Sequence, residues 1–277
     1  MKKLSLILLT ICAMTIVSCR EKPLDMTLRQ KTLFQGESFT EIAADYGWDV
    51  TVVQDDVESY VELEYSAYLE EYLNIWNESN RLNISLFNRF YFPANTVMNA
   101  TVHTSSVKKL HFSDAASAVL EGEFPETSLT IELSDAATCK GGRFTGKADL
   151  DLSDAAKMVD FDFEGETCSV KLSDASTFKG NLLVTDHLDV VVEDASHLTT
   201  YGGSAPYAEV EVSDASSLNL LETEVVTMHI TVEDASEASV NVTGTLEGTV
   251  KDASKLYYQG NPSLNVICDE TSLIRPL

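Results

Sequence analysis

Val192-Glu193-Asp194-Ala195-Ser196-His197-Leu198 is followed twenty residues on by Val212-Ser213-Asp214-Ala215-Ser216-Ser217-Leu218, and twenty further by Val232-Glu233-Asp234-Ala235-Ser236-Glu237-Ala238. The same Asp-Ala step occurs eight times, at Asp114, Asp135, Asp154, Asp174, Asp194, Asp214, Asp234 and Asp252, with intervals of 21, 19, 20, 20, 20, 20 and 18 residues. A period this short and regular marks a solenoid, in which each repeat is one coil stacked on the next.

The residues flanking the Asp show how a coil is built. Two residues before it stand Phe112, Leu133, Leu152, Leu172, Val192, Val212, Val232 and Val250, and four before it stand Leu110, Ile131, Leu150, Val170, Val190, Val210, Ile230 and Gly248. The positions between are mostly polar, so the segment alternates with period two, as a strand with one buried and one wet face does. Four residues after the Asp a second inward column runs through Ala118, Cys139, Met158, Phe178, Leu198, Leu218, Ala238 and Leu256. Each coil therefore holds two or more short strands joined by corners. Successive coils run the same way, so matching strands pair in parallel at roughly 4.8 Å, and eight coils make a rod of about 40 Å. The reading is an all-β chain folded as a parallel β-helix.

The Asp-Ala pair is expected at a corner where the alternation changes parity. Asp tolerates left-handed dihedrals and its carboxylate can accept nearby backbone N–H groups, while Ala turns inward where nothing larger fits. The residue after Ala is Ala116, Ala137 and Ala156 in the first three copies and Ser176, Ser196, Ser216, Ser236 and Ser254 in the last five, a row whose hydroxyls could bond along the rod. Leu264, Val266 and Cys268 repeat the inward spacing past the eighth copy, which implies a degenerate ninth coil ending in Ile274. Cys139, Cys168 and Cys268 are then core thiols rather than a disulfide framework.

Lys2 and Lys3 precede an apolar run from Leu4 to Val17 that ends in Ile16-Val17-Ser18-Cys19. A basic start, a short apolar core and small residues at a junction make a secretory signal over residues 1–18. The junction resembles the lipobox of bacterial lipoproteins, which implies a diacylated Cys19, a membrane anchor and, with Arg20 in the second mature position, the outer membrane of a Gram-negative cell. Residues 19–35 read as a polar tether. Residues 36–104 are rich in aromatics and read as a β-rich cap over the open end of the solenoid, leading into the repeats at 105–277. Within the cap, Val50-Val52, Val61-Leu63-Tyr65 and Leu82-Ile84-Leu86 alternate as strands. The spacing from Tyr65 to Trp76 fits either one helical face or a short turn followed by a strand. The aromatics are read as packing, with an aromatic binding patch the alternative.

Phe39-Thr40-Glu41-Ile42, Trp48-Asp49-Val50-Thr51-Val52, the serial Ser-Asp-Ala-Ser motifs and the closing run from Lys251-Asp252-Ala253-Ser254 to Gly260-Asn261-Pro262 together resemble the head GIN domain family of auto-transporter adhesins. The resemblance covers roughly residues 36–277 and implies a right-handed β-helix in a cell-envelope protein. The family corner is commonly Ser-Gly-Ala-Ser, so this chain departs from it by carrying Asp where Gly is usual. No catalytic residues are implied.

With 44 acidic and 19 basic residues the chain has a net charge of −25, and loss of Lys2 and Lys3 with the signal would make it −27. Such a surface disfavours nucleic acid and anionic lipid and favours cations, basic proteins or neutral glycans. Glu132, Asp149, Asp151, Asp189, Glu193, Glu209, Glu211, Glu233 and Glu247 flank the Asp row on the strand's outer face. A conformational role suffices for the row, with Ca²⁺ binding along it the alternative. No cofactor is expected. The five histidines fall on different coils and offsets, Asp186-His187 reads as a solvated turn, and no zinc spacing, nucleophilic triad or phosphate loop is present. The functional expectation is a non-enzymatic adhesin or ligand-binding rod with a protein or glycan partner; the alternatives are a periplasmic spacer and a glycan-active enzyme.

Overall fold

A computed structural model describes residues 24–277 apart from 89–91 and 126. The signal segment and Cys19 lie outside the described residues. The chain is a β-solenoid. From Thr138 to Val250 each coil is one long bent strand: Thr138–Leu152, Lys157–Leu172, Thr177–Val192, His197–Val212, Ser217–Val232 and Glu237–Val250. Neighbouring coils pair in parallel with the sequence columns in register, for instance Leu188↔Ala208↔Met228 and Val192↔Val212↔Val232. The core is the stack of these columns: Leu133, Leu152, Leu172, Val192, Val212, Val232 and Val250 are each at most 1 % exposed.

The corner differs from expectation in three ways. First, the alternation does not change parity there. Val192 and Ser196 both point inward, and the intervening Asp and Ala are looped outward, so the pattern resumes in phase. Second, the Ala after Asp is exposed in every copy, and the small inward residue is the next one, Ala116, Ala137 and Ala156 and then the five serines. Asp and Ala both have positive φ in all eight copies, 49° to 59° for Asp and 60° to 64° for Ala. These are the dihedrals of a type I′ turn, closed by bonds such as Ala137 N–H to Ser134 O at 2.9 Å. Third, neighbouring turns are fastened to one another through the backbone. In the first seven copies the Ala N–H donates to the backbone carbonyl of the Asp in the next coil, from Ala115 to Asp135 O at 2.8 Å through to Ala235 to Asp252 O at 2.9 Å. The coils are thus laced to one another through their tightest turns.

A second bend lies at Thr185-Asp186, where two successive residues face outward between Val184 and Leu188 and the pairing slips between Leu183 and His187. Phenylalanines stack inside the first coils, Phe124 on Phe144 at 4.9 Å and Phe144 on Phe161 at 5.4 Å between centroids. Gly203 sits at φ +142°, where an added Cβ would come 2.0 Å from Leu182 O of the neighbouring coil. Only glycine fits there.

The segment expected to be a cap contains two further coils. Glu41–Ala44 and Asp49–Gln54 pair in parallel with Lys109–Phe112 and Ser117–Phe124, around a turn in which Tyr46 and Gly47 take the positive φ that Asp and Ala take elsewhere. Arg81–Leu86 and Met98–Thr104 pair in parallel with the other edges of Glu41–Ala44 and Asp49–Gln54. The coil nearer the N-terminus in sequence therefore lies between two later ones in space. Capping proper falls to antiparallel strands, Tyr60–Ser66 against Met98–Thr104 and Leu73–Glu78 against Arg81–Leu86. The strand reading of Leu73 to Trp76 prevails over the helical one, after a single 3₁₀ turn at Ala67–Leu69. Leu28–Leu33, expected within a tether, is a strand pairing antiparallel with Tyr60–Ser66. Phe39, Trp48 and Tyr65 are fully buried, so these aromatics pack the cap.

At the far end the ninth coil is present. Leu246↔Leu264, Gly248↔Val266 and Val250↔Cys268 are in register, as are Leu256↔Ile274. Cys139 and Cys168 are buried and free, but Cys268 is exposed, a correction to its expected place in the core. It occupies the inward column of the last coil among the described residues, where the end of the stack is open to water.

Candidate functional site

The outward rows of the solenoid are the chemistry-bearing surface. The corner carboxylates project from the type I′ turns one coil apart. Asp135 and Asp214 accept from the hydroxyls of the serines that precede them, each at 3.1 Å. Asp194 has its carboxyl raised above the ordinary value, by desolvation first and then by the charges of Asp174 and Asp214 on either side. The row is thus a line of mutually repelling charges held in place by backbone geometry.

The acids beside that row are partly neutralised across coils. Glu132 takes Lys109 at 2.6 Å and His111 at 3.0 Å, Glu193 takes Lys171 at 3.2 Å, and Glu233 takes Lys251 at 2.6 Å. Lys109 and then His111 hold the Glu132 carboxyl below its usual value despite partial burial. The face is therefore a lattice of exposed ion pairs, each worth little in stability.

One cluster stands apart. His187 is on the strand Thr177–Val192, not in a solvated turn, and its partner is Asp189 rather than the adjacent Asp186, with Nε2 and Oδ1 2.6 Å apart. Glu209 lies opposite Asp189 in the parallel ladder, and Tyr207, opposite His187, stacks on its ring at 4.7 Å between centroids. This group is not among the candidate residues expected from the sequence. The signal was present as a His-x-Asp pair with Glu twenty residues after the Asp, which the coil period superposes.

The cap carries a groove of about 530 Å³ across the outer sheet, lined by Gln30, Thr32, Asp49, Glu62, Glu64 and Asn99 among others. Gln30 and Asn99 both donate to the Glu64 carboxylate, at 3.3 and 3.2 Å. The buried thiols offer no nucleophile: burial pushes Cys139 up to about 12 and Cys168 higher still.

The family model for "putative auto-transporter adhesin, head GIN domain" matches residues 38–262. The chain belongs to the head GIN domain family. The positive φ at all eight corner Asp residues accounts for the glycine common at that position in the head GIN pattern. No curated protein sequence matched the chain. Among solved structures, a putative adhesin of Parabacteroides merdae ATCC 43184 superposes with a TM-score of 0.67 at 15% identity, covering 90% of this chain and 96% of that one. A protein of Parabacteroides distasonis ATCC 8503 described as a putative lipid binding protein gives 0.67 at 13% identity, over 92% and 98% of the two chains. A putative adhesin of the same organism gives 0.59 at 16% identity, over 91% and 98%. At these identities the likeness is one of fold. Adhesin-like family membership points to an extracytoplasmic or surface protein, and no helix among the described residues is long and apolar enough to cross a membrane.

Proposed function

We propose that this head GIN protein is a non-catalytic binding rod of the cell envelope, lipid-anchored at Cys19 in the outer membrane and acting as an adhesin through its outer faces. The observation that carries this reading is the adhesin-family match over residues 38–262 of a rigid, open-faced solenoid. The geometry supports it. The acids recur along flat sheet faces, and the groove on the cap is polar and shallow, lined by amide, hydroxyl and carboxylate groups suited to a hydroxyl-rich ligand such as a neutral glycan. The corner Asp residues from Asp114 to Asp252 serve the turn through their positive φ, which leaves their carboxylates on the outer surface.

Protease added to intact cells tests the reading most directly. Surface display predicts removal of the protein, whereas survival until the outer membrane is opened would leave a periplasmic spacer as the function. Cys19→Ala should release the protein from the membrane fraction; retention there would sink the lipid anchor.

A further inference from the structure

We propose that His187, Asp189 and Glu209 form a binding site for a divalent first-row metal ion of the Zn²⁺ type on the outer face of the solenoid. His187 and Asp189 are two apart on one strand and share its outer face, and Glu209 faces the same way from the next coil. One ligand atom from each lies within 4.8 Å of the other two. Donors bound tetrahedrally with bonds of about 2.0–2.2 Å lie roughly 3.4 Å apart, within reach of small side-chain rotations from this arrangement.

Two further features belong to a site rather than to chance neighbours. Tyr207 stacks on the His187 ring at an interplanar angle of 24°, which fixes the plane of the ring, and a metal would replace the proton that Nε2 shares with Asp189. On the opposite side Ser169, directly beside Asp189 in the ladder, is small, and a depression of about 270 Å³ opens there between Asp149, Thr167 and Asp189. Of the three donor residues Asp189 borders that space, so its carboxylate is open to solvent on that side. His229 follows Glu209 in the same ladder but faces Glu247, its Nδ1 3.8 Å from the carboxylate, so the imidazole of this site is His187.

The donor set decides the class of ion. One neutral imidazole and two carboxylates suit Zn²⁺ and its first-row neighbours, whereas Ca²⁺ takes oxygen ligands in larger number. The two carboxylates carry a charge of −2 that a dication matches, and the net negative charge of the chain concentrates cations at its surface. A metal here would tie two adjacent coils at the outer face.

Titrating the purified, chelator-treated protein with Zn²⁺ and with Co²⁺ tests the site. The expected result is one Zn²⁺ site per chain, a visible Co²⁺ absorption band, and an affinity weakened at least about tenfold in both His187→Ala and Glu209→Gln. Asp214→Asn, which removes an acid of the corner row, should bind as the parent does. Equal Zn²⁺ affinity in the parent and His187→Ala, or displacement of Zn²⁺ by an equal concentration of Ca²⁺, would overturn the proposal in favour of diffuse attraction to an acidic surface. His187 and Glu209 lie at the surface, so both variants should melt with the metal-free parent.

Discussion

At the scale of single residues, the serines beside the corners show how one position changes meaning along the rod. The hydroxyl of Ser216 accepts the buried backbone N–H of Ser196 at 3.2 Å, and Ser236 and Ser254 do the same for Ser216 and Ser236. The bonds run from backbone to hydroxyl, not from hydroxyl to hydroxyl. Ser176, the first of the row, has a buried hydroxyl with no hydrogen-bond partner. Ser216→Ala should therefore cost about 1–3 kcal/mol by leaving a buried N–H without its acceptor, while Ser176→Ala should be neutral or stabilising. Urea melts of the two variants measure the difference. The sequence marks Ser176 as the first serine after three alanines, but only the structure shows that the N–H of Ala156 turns to Ser153 O and leaves the Ser176 hydroxyl unused.

At the scale of an element, the ninth coil has no Asp-Ala step and receives the eighth corner with side chains instead. Elsewhere the Ala N–H finds the carbonyl of the next Asp, but Ala253 N–H donates to Thr271 Oγ1 at 3.1 Å, and Asp252 N–H donates to the Asp269 carboxylate at 2.8 Å. Asp269 also accepts from Thr271 N–H at 3.0 Å. The Asp252 bond first, with those from Ser272 and Thr271, pulls its carboxyl down to about 2. A lowered folded-state pKa stabilises above the unfolded value, and that contribution is lost as pH falls through the folded one. The end coil should hold at pH 5 and loosen between about pH 4 and 2, with the Asp252 and Thr271 amides losing hydrogen-exchange protection before those of the central coils. In Asp269→Ala the two amides should exchange fast even at pH 5. The ninth coil was legible from Leu264, Val266 and Cys268, but the exposure of Cys268 was not, since a column of inward residues does not say where the stack stops.

At the scale of the whole molecule, the solenoid is a sum of coils and nearest-neighbour interfaces. Deleting residues 195–214 joins Asp194 to Ala215 and keeps the motif, the inward columns and the parallel register intact. That variant should fold cooperatively with unchanged β-type circular dichroism and a lower Tm. Deleting only residues 195–204 sets half a coil against a full one and should abolish the cooperative melt. The cap does not share this tolerance. Its coil at Glu41–Gln54 is clasped between Arg81–Thr104 and Lys109–Phe124, so its place depends on chain segments far apart in sequence.

The coil is legible in the sequence alone. Alternation and a twenty-residue period are one-dimensional properties, and parallel stacking at a fixed rise turns them directly into inward columns from Leu110 to Leu256. Even the departure at the corner was visible, as Asp in place of a glycine that positive φ favours. The rest came from the tertiary structure: which way the corner Ala faces, how the N-terminal coils interleave, the exposure of Cys268, and how closely the donor atoms of His187, Asp189 and Glu209 approach. Each of these depends on what lies beside a residue in the neighbouring coil, and that neighbour is set by closure of the whole stack rather than by the local pattern.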